Sequence, residues 1–183
     1  RFDFTPWTGN TDWVDAMTRT GTMSVNNLSI STATDKNKFY LGFGYTNEEG
    51  IIKHEQLRKI SLNVNDEVKV GKNIKLGFTL NSMRQRNPYS NARGLLFQAR
   101  RALPITPVYN DAAGAYYNLA IQSAQMINPA MELNDNWDKE LNYEFRNVAS
   151  FYADISFLRN FNFRSTFYAD MSNLEGRNYT QID

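Results

Sequence analysis

Residues 38–46 read Lys38-Phe39-Tyr40-Leu41-Gly42-Phe43-Gly44-Tyr45-Thr46. Phe39, Leu41, Phe43 and Tyr45 alternate with Tyr40, Gly42, Gly44 and Thr46. Successive side chains of an extended chain point to opposite faces, so period two marks a strand with one apolar side. Working outward, residues 25–34 set Leu28 and Ile30 against Asn27, Ser29 and Ser31, and Asp35-Lys36-Asn37 forms a tight polar turn between the two. The pattern recurs at 58–68, where Ile60, Leu62, Val64 and Val68 oppose Lys59, Ser61, Asn63, Asn65 and Glu67, with Asp66 interrupting the apolar face. After the turn Gly71-Lys72-Asn73, Ile74, Leu76, Phe78 and Leu80 oppose Lys75, Gly77, Thr79 and Asn81. Towards the end, Phe145, Ala149, Phe151, Ala153, Ile155 and Phe157 oppose Arg146, Ser150, Tyr152, Asp154 and Ser156, Asn147 being the exception. A turn at Arg159-Asn160 leads to Phe161, Phe163, Phe167, Ala169 and Met171, opposed by Arg164, Thr166, Tyr168, Asp170 and Ser172. The reading is about six strands in three hairpins.

Turns within hairpins are short and links between hairpins are long. Residues 47–56 form one link and 84–140 a much larger one, and loops of this length usually carry function. The larger link is expected to hold one short helix: Asn91 is a fitting N-cap, Leu95, Leu96, Ala99 and Leu103 recur at helical spacing, and Pro104 ends the run. A further helical turn near 117–126 is an ambiguous expectation.

Composition narrows the class. Among 183 residues, Lys+Arg 20 against Asp+Glu 19 gives a net charge of +1, which offers no basic field for nucleic acid. With no cysteine there is no disulfide framework, thiolate metal site or thiol nucleophile. The mean hydropathy is −0.55, and no window approaches the ~18 apolar residues of a spanning helix. Alternating strands never read as hydrophobic on average, so a transmembrane β-barrel stays open beside a soluble sandwich. A strand of ~10 residues at ~45° tilt crosses ~23 Å, close to the ~25 Å apolar band of an outer-membrane barrel. Phe39, Tyr45, Phe145, Phe157 and Phe161 sit near strand ends, as an interfacial girdle requires or as a sandwich core would place them. Six strands do not close a membrane barrel, whose smallest bacterial forms have ~8. The first residue is Arg1 and no signal region follows, so an internal stretch of a longer protein is expected.

Specific words of the sequence point further. Asn10-Thr11-Asp12-Trp13, Arg19-Thr20, Asn27-Leu28-Ser29-Ile30-Ser31 and the run Lys38 to Ile51 occur in series with Arg58-Lys59-Ile60-Ser61-Leu62-Asn63-Val64-Asn65 and Pro104-Ile105-Thr106-Pro107-Val108-Tyr109. Asn128-Pro129-Ala130 and Phe161-Asn162-Phe163-Arg164-Ser165 follow. In this order, across nearly the whole chain, they resemble the SusC/RagA family of TonB-dependent outer-membrane transporters of Bacteroidetes. The resemblance implies an all-β fold, an antiparallel segment of a transmembrane β-barrel of roughly 22 strands that encloses a plug. It implies residues 1–21 as a lead-in between early barrel elements and 22–183 as partial barrel, with 84–140 as a long extracellular loop. It also implies import of an oligosaccharide or peptide beneath a SusD-like surface lipoprotein, coupling to TonB through parts outside this chain, and contact with outer-membrane lipid.

The loop aromatics Tyr89, Tyr109, Tyr116, Tyr117 and Trp137 are the candidate substrate-binding residues, since a flat ring suits the C–H face of a sugar. Packing within the loop or against the lipoprotein is the favoured role for the same rings. Asn134, Asp135, Asn136, Asp138 and Glu140 gather oxygens suited to calcium, yet lack EF-hand spacing, which favours a solvated acidic loop and no metal. His54, the only histidine, is expected to be a solvated loop residue without a partner, and Glu48 and Glu49 diverge on an extended chain. No catalytic constellation assembles, so neither an enzyme nor a cofactor is expected. Lys59, Lys75, Arg146, Asp154, Arg164 and Asp170 occupy the polar face, where plug contact is preferred over the solute path or polar filling. Two other functions remain: a structural or envelope-assembly subunit on the same barrel, and, more distantly, a soluble β-sandwich binding module.

Overall fold

The computed structural model describes residues 7–87, 91–158 and 160–177. Along the chain lie α1 (Trp13–Met17), β1 (Thr22–Ala33), β2 (Asn37–Glu49), β3 (Gln56–Val70), β4 (Ile74–Asn87), α2 (Ala92–Ala99), β5 (Tyr109–Asn110), β6 (Ala115–Tyr116), α3 (Pro129–Asn136), β7 (Leu141–Phe157) and β8 (Phe161–Arg177). Six long strands form one sheet in the order β1-β2-β3-β4-β7-β8, each antiparallel to its neighbours. β5 and β6 pair separately as a small ribbon.

The register carries the alternation across the whole sheet. Leu28, Phe43, Leu62, Ser82, Asn147 and Met171 are consecutive partners, and the next row is Ile30, Leu41, Val64, Leu80, Ala149 and Ala169. Both rows lie on the apolar face. That face is open: Leu28 is 68%, Ile30 61% and Phe167 70% exposed. Among the described residues the other sheet is the small β5–β6 ribbon.

Three tight turns gather at one end of the sheet. The first is closed by Thr34, whose amide donates to the Asn37 carbonyl at 2.7 Å while its hydroxyl accepts from the Asn37 amide at 3.0 Å. In the second, Gly71 adopts φ +70°, a conformation that costs glycine no Cβ clash. The strands exceed their expected lengths, chiefly at the end with the long links. β2 runs on through Asn47, Glu48 and Glu49, β4 continues to Asn87, and β7 begins at Leu141, so the links are 50–55 and 88–140. Polar residues on both faces erase the hydropathy alternation there without disturbing the ladder. A strand of 17 residues such as β7 crosses ~40 Å at ~45° tilt, well beyond a ~25 Å apolar band.

The buried core lies elsewhere. Among the described residues the buried hydrophobic side chains are Trp13, Met17, Ile52, Ala92, Leu95, Ala99, Leu119, Ala120, Ala130 and Leu133. All belong to the lead-in and the two links, which form a layer at the long-link end of the sheet.

Candidate functional site

Three segments far apart in sequence build that layer. Asp12 caps α1, accepting from the Val14 and Asp15 amides at 3.0 Å each, and the four-residue spacing puts Trp13 and Met17 on one buried face. The Trp13 indole donates to the Leu103 carbonyl at 3.0 Å and the Thr11 hydroxyl to the Thr106 carbonyl at 2.8 Å. The short link joins from the other side. The Lys53 amide donates to the Met17 carbonyl at 2.9 Å, its ammonium donates to the Ala16 carbonyl at 2.6 Å, and Ile52 enters the core.

In the long link, α2 occupies its expected place and buries Ala92, Leu95 and Ala99, but Asn91, at the N-cap position, makes no side-chain capping bond. The expectation of a single helix needs correction, because α3 is a second one, and residues 120–125 form turns where a helical turn was an open expectation. Asn128 starts α3. Its side-chain oxygen accepts from the Ala130 and Met131 amides, and its Nδ2 donates to the Val108 and Tyr117 carbonyls at 3.1 and 2.9 Å. At 2% exposure this amide is buried with both ends satisfied. Burial pushes the Glu132 carboxyl, one turn further on, above its ordinary range.

Over α3 lies a row of rings. The His54 imidazole stacks on Trp137 with centroids 4.8 Å apart and planes at 10°, and its Nε2 meets Asn134 Oδ1 at 2.8 Å. Asn134 Nδ2 donates to the Tyr116 hydroxyl at 2.8 Å, and Tyr116 meets Tyr109 edge-on at 5.0 Å. His54 therefore has partners and is half-buried, contrary to the expectation of a solvated residue. Its partners lie 80 and more positions along the chain, beyond any local pattern. Of the five candidate aromatics, Tyr109, Tyr116 and Trp137 come together in this row. Tyr117 stands apart, edge-on to Trp7 at 6.3 Å, and Tyr89 lies outside the described residues. Among the described residues no group of three His, Asp or Glu side chains converges as a metal site.

The polar face of the sheet carries a ladder of charge pairs. Arg146 binds Asp170 through Nε at 3.0 Å and Nη2 at 2.6 Å, and Arg164 donates to Asp154 at 2.8 Å. Arg164 also lies over the Tyr152 ring at 4.9 Å, and the Tyr152 hydroxyl donates to Glu67 Oε2 at 2.6 Å, with Lys38 3.9 Å from the same carboxylate. Tyr152 reaches Glu67 by lying across Gly77, where any Cβ would collide with its ring. Lys59 and Lys75 share this face, paired in register with Gln85 and Asp154 neighbours.

No family model matches the chain. Curated relatives do. TonB-dependent receptor P26 of Formosa agariphila is 28% identical over 177 residues, covering 93% of this chain and 17% of the relative. TonB-dependent receptor P3 of the same organism is 24% identical, covering 91% and 17%. TonB-dependent receptor SusC of Bacteroides thetaiotaomicron is 26% identical, covering 70% and 14%. Two solved structures, of the RagAB peptide transporter and of the RagAB peptide importer in its open-open state, superpose with TM-scores of 0.69 and 0.67. Their identities are 14% and 16%, and they cover 93% and 89% of this chain but only 20% and 19% of the solved chains. Over most of its length the chain is similar in sequence to these TonB-dependent receptors, and its fold matches part of the solved RagAB chains. It spans about one sixth of the length of the curated relatives it matches.

The sheet thus has one open apolar face and one face that carries the charge ladder. Sequence reading named Arg146, Asp154, Arg164 and Asp170 on that face but missed Glu67 and Tyr152 as its hub. The available signal was Gly77, a glycine among larger residues in a strand, which marks a close approach by another group.

Proposed function

We propose that this SusC/RagA-like segment forms wall and outer loops of an outer-membrane transporter that imports an oligosaccharide or peptide in a TonB-dependent manner, beneath a SusD-like lipoprotein. One observation carries the reading: the sheet exposes its apolar face and buries its hydrophobic core only in the loop layer at one end. A soluble domain would cover that face, whereas lipid covers it in a barrel. The relatives' names support TonB coupling, and the solved relative described as a peptide importer keeps peptides among the substrates.

Residues 1–21 then serve as a lead-in, whose described part joins the outer layer through Thr11 and Trp13, 22–183 as wall with its loops, and 84–140 as extracellular surface. Coupling to TonB lies outside this segment. Of the described candidate contacts, Tyr109 is the most exposed ring, at 43%, with one edge on Tyr116, while Tyr116 and Trp137 hold further partners and shape the surface around it. The whole protein is expected in the outer-membrane fraction with heat-modifiable migration, and its deletion is expected to abolish growth on particular glycans or peptides. Unchanged uptake of every nutrient, with loss of a surface complex, would replace this reading with an envelope-assembly role.

A further inference from the structure

Where the short link meets α2, a cavity of about 510 Å³ opens at the rim of the sheet. Met23, Glu48 and Leu57 line it as one register row, the next beyond Val25, Thr46 and Lys59 on the face that carries the charge ladder. Ile51 and Glu55 of the link and Arg93 of α2 stand around them. Arg19 shapes the link: it donates to the Gly50 and Glu55 carbonyls at 3.2 and 3.1 Å and pairs with Glu49 at 3.6 Å. That cation is therefore occupied. The Glu55 carboxylate folds against Gly50, where any Cβ would collide with it. Among the described residues the Glu48 and Glu55 carboxylates have no hydrogen-bond or ion-pair partner, and Arg93, on the same cavity, lies beyond 4 Å of every carboxylate.

Opposite charges that share a cavity without meeting leave room for a ligand that carries both. An ammonium answers the two glutamates and a carboxylate answers the arginine, each through charge-assisted hydrogen bonds. Met23, Ile51 and Leu57 offer apolar surface to whatever lies between the two ends. No aromatic ring stands among the lining residues, so a sugar finds no face to stack on here. A peptide with free ends carries its groups in this order, and the volume falls within the ~300–1,000 Å³ of small-ligand pockets. We propose that Glu48, Glu55 and Arg93 form a site for a short peptide, its terminal ammonium at the glutamates and its terminal carboxylate at Arg93. The inference rests on the transporter reading above and names peptide rather than oligosaccharide as its substrate class.

The test is isothermal titration of the whole protein, purified in detergent, with alanyl-leucyl-alanine, its N-acetyl form, its C-terminal amide and maltotriose. N-acetylation and C-amidation are each expected to weaken binding about tenfold, the usual effect of losing one hydrogen bond to a charged group. Glu55→Gln is expected to weaken binding of the free tripeptide and to remove the effect of N-acetylation while that of amidation persists. Arg93→Gln is expected to do the reverse. Arg93 is exposed on α2, so its variant serves should Glu55→Gln fail to fold. End groups without effect on affinity, maltotriose bound as tightly as the tripeptide, or variants that leave the pattern intact would each overturn the site. The expected pattern in a protein whose deletion leaves peptide uptake unchanged upholds the site and overturns the transport reading, whereas no tripeptide binding by a protein that uptake requires overturns the site alone.

Discussion

His54 lies flat against Trp137, 4.8 Å between ring centroids, and reaches Asn134 with its Nε2 at 2.8 Å. Because the Asn134 carbonyl oxygen only accepts, Nε2 carries the proton. The short link is thereby pinned to α3, and through Asn134 to Tyr116 in the β5–β6 ribbon. His54 holds φ +67° to make these contacts, a conformation that non-glycine residues adopt at a cost. His54→Gly keeps that backbone freely but loses ring and hydrogen bond. Its expected outcome is loss of ~1–2 kcal/mol of local stability, read as faster amide exchange in 50–55 and 129–137 with the strands unchanged.

Trp13 tests whether the lead-in belongs to the outer layer. Its side chain is 3% exposed and its indole N–H satisfies the Leu103 carbonyl. Trp13→Ala is expected to cost ~3–5 kcal/mol through the cavity it opens, and Trp13→Phe ~1–3 kcal/mol through the carbonyl left unpaired. Limited proteolysis should then cut near α2 before any strand is cut. Protection of α2 equal to wild type in both variants would show that the lead-in folds apart from the link.

Glu132 gives the layer a pH dependence. Burial raises its folded-state pKa above the unfolded value, so between the two values the folded layer binds more protons than the unfolded chain. Stability is therefore greatest in acid, falls as pH rises through that window, and stays lower above it. Glu132→Gln is expected to protect α3 more than wild type at neutral pH and to flatten the profile, as measured by amide exchange from pH 4 to pH 7 (about the range in which carboxylates titrate).

Gly77 and Tyr152 form a coupled pair. Gly77→Ala is expected to lower the temperature of heat-modifiable unfolding, since the new Cβ meets the Tyr152 ring. Tyr152→Ser alone removes the bond to Glu67 and costs ~1–3 kcal/mol. The double variant is expected to be less impaired than the two single effects combined, because the second change removes the clash. Strict additivity would place the ring elsewhere.

The hairpins were legible because period two registers directly on a sheet with one apolar and one polar face, as Phe39, Leu41 and Phe43 show. Strand ends were not, because Asn47, Arg84, Gln85, Arg86 and Glu144 keep the ladder but carry no hydropathy contrast. α2 was visible from the helical spacing of Leu95 and Ala99, although Asn91 at its N-cap position makes no capping bond. α3 announced itself mainly by Asn128-Pro129, an N-cap followed by proline at the first helical position, because its buried face is only Pro129, Ala130 and Leu133. The outer layer and its ring row depend on contacts between residues 7–18, 50–55 and 91–137, which no local pattern specifies.

Site-directed spin labelling tests most directly the claim that the apolar face is the lipid side. These 183 residues contain no cysteine, so single cysteines introduced at Ile30, Leu41, Phe43 and Leu80, and at Ser29, Gly42, Ser61 and Asn81, report each face separately. In the whole protein reconstituted in bilayers, the first set is expected to be accessible to dissolved oxygen and shielded from a polar relaxation agent, with the second set showing far less oxygen access. Oxygen access that does not alternate between neighbouring positions, or that is highest at the second set, would contradict it.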